Sequence, residues 1–143
     1  MATKRFETTE DLNREDRAIA VFTSRYGYSS EKLGKWDLDF KIYSDDVFIG
    51  YAEVKGRNRL LSDDKDFPLA NRKVKKMMAC DGAKIIIWAS LDGITYGQLD
   101  RLQGKFVRNG GRNPREGSCN DMEEMFYYNM ETNNKVLTSI KYK

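Results

Sequence analysis

The stretch from Ala83 to Leu91, AKIIIWASL, constrains this chain more than any other. It is almost continuously apolar, rich in β-branched and aromatic side chains, and far shorter than the ~20 residues that span a bilayer. Such a run reads as a central strand buried on both faces. A strand of that kind needs neighbours on both edges and a layer above and below, which points to an α/β fold. Asp92-Gly93 then signals a tight turn, with Ile94 to Leu99 as the partner strand.

Upstream, Leu12, Ala18, Ile19 and Phe22 recur at helical spacing. They predict a helix from about Thr9 to Arg25, with Glu10 and Asp11 in its first turn and Gly27 as its C′ residue. Trp36-Asp37-Leu38-Asp39-Phe40-Lys41-Ile42 alternates with period 2, placing Trp36, Leu38, Phe40 and Ile42 on one face. Asp45-Asp46 marks a turn, and Val47 to Lys55 returns as a second strand. A Lys-rich helix is expected from Phe67 to Cys80 and a basic loop from Arg101 to Arg115. Late strands follow at Phe126 to Met130 and Val136 to Tyr142. Neither a repeat nor a linker interrupts the pattern, so residues 1–143 read as one domain.

Histidine is absent, which excludes Ser-His-Asp and Cys-His hydrolysis, HNH-type cleavage and His-containing zinc sites. Cys80 and Cys119 form no CxxC pair and read as a buried and an incidental thiol. The N-terminal MATKRFETTEDLNRED has no apolar core of a signal peptide, so a soluble, cytoplasmic protein without membrane contact is expected. The glycine patterns of P-loop and Rossmann sites are missing, so no nucleotide cofactor is expected.

Glu53-Val54-Lys55 puts a carboxylate and an ammonium on the same face of a strand. With 9 Glu and 14 Lys in 143 residues, chance alone predicts about one such tripeptide, so position must carry the argument. A three-residue hairpin loop at Asp45-Asp46-Val47 would pair Ser44 with Phe48 and Phe40 with Ala52. That register sets Asp39 opposite Glu53 and Asp37 opposite Lys55, whereas a two- or four-residue loop would send Glu53 to the other face.

A helix, WDLDF, a hairpin into YAEVKGRNR, a Lys-rich helix and a buried strand together resemble the PD-(D/E)XK nuclease superfamily, with its restriction-endonuclease-like fold, and small phage-type members most closely. The resemblance implies a mixed central β-sheet flanked by helices, Asp39 as the first acid, Glu53 as the second and Lys55 as the lysine. No proline precedes Asp37 or Asp39, and Asp37 remains an alternative first acid. The implied cofactor is Mg²⁺ (or Mn²⁺), held by Asp39 or Asp37, Glu53 and the Val54 carbonyl, with Lys55 orienting a water. Hard oxygen donors in this number suit Mg²⁺, which keeps several waters. Two further expectations come from the family's use of the flanking helices: Glu15, on the inward face of the first helix, and Lys73, at the border of the second helix's apolar face.

Net charge is only +3, yet 12 of the 25 Lys and Arg flank the proposed site on three segments. A nearly neutral chain can still present a positive trough to DNA phosphates. Arg57, Arg59, Lys76, Arg108 and Arg112 are the candidate contacts. The expected function is thus a metal-dependent deoxyribonuclease, an endonuclease with junction or other structure specificity open, acting in the host cytoplasm if phage-encoded. A junction resolvase would be a homodimer, because two symmetric cuts need two sites. The rival is a catalytically idle DNA-binding module of the same fold, serving DNA packaging or recombination.

Overall fold

The structure, a computed structural model, describes residues 9–34, 38–111 and 122–143. Among these residues the α/β architecture is a mixed six-stranded sheet with two helices and a smaller three-stranded sheet. Helix α1 runs Thr9–Tyr26, and Gly27 follows at φ 70 as the expected C′ residue. The Tyr28 N–H donates to the Thr23 carbonyl at 2.9 Å, the long-range bond of a Schellman end.

The large sheet is ordered β1-β2-β3-β5-β6-β9. It comprises β1 (Ser29–Lys32), β2 (Phe40–Ser44), β3 (Val47–Gly56), β5 (Ala83–Ala89), β6 (Gly93–Gln98) and β9 (Thr138–Lys141). Only β3 and β5 are parallel; the other neighbours run antiparallel. As its composition requires, β5 is buried on both faces. Ile85, Ile87 and Ala89 join Ala18, Ile19 and Phe22 of α1 in one core. Ile86 and Trp88 join Phe67, Leu69, Met77 and Tyr128 in a second core on the opposite face.

The second core is roofed by elements that the periodicity did not separate. Residues Asp66–Ala70 form strand β4, and helix α2 occupies only Asn71–Met78, so the helix expected from Phe67 starts four residues late. The basic segment is not a loop as far as it is described. Gly104–Gly111 is strand β7, which pairs with β8 (Met122–Asn129) in a sheet ordered β4-β8-β7. The indole N–H of Trp88 donates to the Pro68 carbonyl at 2.8 Å, tying this small sheet to β5. Leu38 also departs from expectation: it sits in the second core, away from Phe40 in the first, because the extended strand begins only at Phe40. Cys80 is half-buried rather than buried, and Cys119, Trp36, Asp37 and Arg112 lie outside the described residues. Among the described residues, no helix is long and apolar enough to cross a membrane.

Candidate active site

The β2–β3 hairpin reaches the anticipated register by a different route. Asp45 and Asp46 have φ of 49 and 66, the left-handed pair that a two-residue hairpin turn requires, and Ser44 pairs with Val47. A two-residue turn alone would turn Glu53 to the wrong face. Ile49, however, is an extra residue on β3 between the pairs Tyr43–Phe48 and Ile42–Gly50, and this bulge restores Phe40 opposite Ala52.

One residue beyond that pair, Asp39 and Glu53 hold each other's strand. The Asp39 N–H donates to Glu53 Oε1 at 3.2 Å, and the Val54 N–H donates to Asp39 Oδ2 at 2.8 Å. The Arg57 N–H bonds the Ala89 carbonyl, so odd-numbered residues at this end of β3 turn their backbone polar groups toward β5. Val54 therefore turns its N–H and carbonyl the other way, toward the space beyond the start of β2. Among the described residues no strand pairs with this edge of β3 beyond Ala52, because β2 begins at Phe40.

Glu53 is buried, 5% exposed, rather than on a solvated strand face. Its Oε2 meets Lys73 Nζ of α2 at 2.8 Å. α2 can deliver this ammonium because Met77 and Val74 pack into the second core, on the face that Glu53 shares with Ile86. Lys55 lies two residues along the same face, in register with Trp88. Glu15 of α1 is largely buried, 3.3 Å from Lys32 Nζ of β1.

Electrostatically the centre is Asp39. Its carboxyl is pushed up from the ordinary 3.8 to about 7, first by burial and then by the negative charge of Glu53, with Glu15 adding to the effect. The Val54 N–H and the Lys73 ammonium oppose this rise without cancelling it. The site thus concentrates acid oxygens faster than it supplies positive charge. Among the described residues no three His, Cys, Asp or Glu side chains gather closely enough to hold a metal ion by themselves. The available set is two carboxylates and a backbone edge, all oxygen donors, which fits a hard divalent cation that keeps much of its water.

The candidate DNA contacts divide sharply. Arg57 makes a bidentate ion pair with the fully buried Asp64, at 2.9 Å through both Nε and Nη2, and so anchors the chain after β3. Arg57, expected to contact phosphate, is thus engaged in this structural ion pair. Arg59 and Lys76 are exposed, and Arg108 on β7 stands 3.7 Å from Glu124 with most of its side chain in solvent. Sequence reasoning missed Asp64, whose role appears only once the loop folds back. It also missed Arg14 of α1: a Cβ on Gly56 would stand 2.9 Å from its Nη1, so this cation lies directly over the end of β3.

A family model described as "Phage putative PDDEXK endonuclease" matches residues 1–136 of the 143. No curated protein and no solved structure matches the chain.

Proposed function

The chain belongs to the phage PDDEXK endonuclease family, and from that premise we propose that it is a metal-dependent deoxyribonuclease hydrolysing DNA phosphodiester bonds. The observation that carries this reading is the pair of crossed bonds, Asp39 N–H to the Glu53 carboxylate and Val54 N–H to the Asp39 carboxylate, with Lys55 on the Glu53 face.

Asp39, Glu53 and the Val54 carbonyl would hold Mg²⁺ or Mn²⁺. Such an ion, when bound, acidifies a water and offsets charge building on the phosphate. Around it, each residue has a definite task. Val54 N–H fixes the Asp39 carboxylate, so its second oxygen is presented without rotamer search. Lys73 and the Asp39 N–H fix the Glu53 carboxylate from two sides. Lys55, an ammonium on a rigid strand, orients the attacking water and stabilises charge on the phosphate oxygens. Glu15 tunes Asp39 through its charge. Arg59, Lys76 and Arg108 are exposed cations suited to sequence-independent phosphate contacts.

The idle-module alternative has one observation in its favour: the Lys73–Glu53 ion pair neutralises Glu53 without any metal. Cleavage of plasmid, linear, single-stranded and branched DNA with Mg²⁺, Mn²⁺ or EDTA separates the two. The expected result is metal-dependent cutting that disappears in Glu53→Gln, with the substrate ranking giving the preferred DNA structure. DNA binding without cutting under every condition would overturn the nuclease in favour of the idle module. Light scattering in the same buffers reads whether the active species is a homodimer.

A further inference from the structure

At the opposite end of the large sheet, on the α1 side, lies a cavity of about 310 Å³. Four aromatic rings line it: Phe22, Tyr26, Tyr28 and Tyr96. Ile49 of β3 is also in its wall, four residues before Glu53. It is therefore about 13 Å along the strand from the candidate active site, and because of the bulge it packs with the α1-side core on the other face of the sheet.

Phe22 and Tyr96 are buried, but Tyr26 is 45% exposed and Tyr28 is half-buried. Tyr26 and Tyr28 stack on each other, 5.4 Å between centroids and 20° between planes. The Tyr26 hydroxyl is hydrogen-bonded to that of Tyr96, and its ring meets Tyr96 edge-on. The platform is thus held in place before any ligand arrives. Two cations, Arg101 and Lys135, complete the lining with exposed side chains, and neither makes an ion pair among the described residues. No Asp or Glu lines the cavity among the described residues, and the exposed Gln98 adds an amide that can both donate and accept.

An aromatic platform with two nearby cations and no carboxylate selects a planar ligand that carries negative charge. Stacking on Tyr rewards any base, and an amide reads a base edge, while ammonium and guanidinium groups favour phosphate. We propose that this cavity binds a nucleobase carrying a phosphate, with the base on the Tyr26–Tyr28 stack and the phosphate between Arg101 and Lys135. The ligand is either a free nucleotide or one unit of a single DNA strand, and the same chemistry serves both.

The test is equilibrium binding in EDTA, so that it stands whether or not the protein cuts DNA. Deoxyadenosine monophosphate is followed by calorimetry and a labelled 12-mer of thymidine by fluorescence anisotropy. Tyr26→Ala should weaken binding about tenfold, the loss of one base–aromatic stack, while Tyr26→Phe keeps the ring, loses only its bond to Tyr96 and weakens binding less than Tyr26→Ala. Arg101→Gln combined with Lys135→Gln should weaken binding and reduce the logarithmic salt slope for the oligonucleotide by about 1.4. Sensitivity of both ligands to these changes, with mutual competition, supports strand binding. Sensitivity of the mononucleotide alone supports a free nucleotide. The proposal is overturned if neither ligand binds, or if both bind with affinities that the substitutions leave unmoved. Inorganic phosphate binding as tightly as the mononucleotide would also overturn it.

Discussion

The two faces of β3 are built from the same ten residues to opposite ends. Toward α1, Ala52 and Val54 meet Ile19, Phe22, Ile85 and Ile87 in an apolar core that stabilises by excluding water. Toward α2, Glu53 and Lys55 lie beside Ile86 and Trp88, and a buried carboxylate is tolerated there only because Lys73 and a backbone N–H engage both its oxygens. One face can be altered only through its volume, the other only through its charge. A site of strained electrostatics is affordable because the face behind it is a plain, well-filled core.

Substitutions on each face should therefore fail in different ways. Glu53→Gln keeps volume and is expected to lower DNA cleavage by at least about 10²-fold, a loss typical of removing one charge-stabilising group. Its thermal midpoint should move little by comparison, and equal losses of folding and activity would erase the distinction between the faces. Ile87→Ala, on the other side of the sheet, should cost about 2–5 kcal/mol in urea unfolding, while the molecules that remain folded keep their turnover. Arg57→Ala leaves Asp64 buried without its partner and should cost about 3 kcal/mol. An unchanged stability with weakened DNA binding would return Arg57 to the phosphate surface.

Asp39 supplies a pH signature for the site where Glu53, Lys73 and Glu15 act on it together. Its carboxyl titrates near 3.8 when unfolded and about 7 when folded. Below pH 3.8 it is protonated in both states and its contribution is fully present. As pH rises, the unfolded chain releases this proton first, so stability is lost progressively until pH passes 7. Metal-free Asp39→Asn should flatten the fall of the thermal midpoint between pH 4 and 7, and parallel profiles for variant and parent would detach Asp39 from that fall. Smallest of all, Arg108→Ala should leave folding untouched and reduce the salt slope of DNA binding by about 1; an unchanged slope removes β7 from the DNA surface.

What the sequence made legible follows from local pattern. α1, β3, β5 and β6 carry clean periods or an unbroken apolar run, and each formed close to its expected span. β4 was hidden because Phe67-Pro68-Leu69-Ala70 is buried throughout and merges with the apolar positions of α2. Pro68 is compatible with a strand there because β4 is the edge of its sheet. β1 is exposed at all four residues and carries no alternation, while the cations and glycines of β7 resemble those of a loop. In the site, the proximity of Asp39 to Glu53 could be reasoned from register. The burial of Glu53 and its bond to Lys73 could not, since both depend on where the second core seats α2.

The bulge at Ile49 makes the hairpin a phase-corrected device. Its tip is one residue shorter, and its returning strand one residue longer, than a regular ladder with the same pairing would need. Two length errors of opposite sign cancel before the chain reaches Glu53. Residue gains and losses near the tip are thus acceptable only as matched pairs; an unmatched one would rotate Glu53 and Lys55 together out of the charged face and into the oil beneath α1.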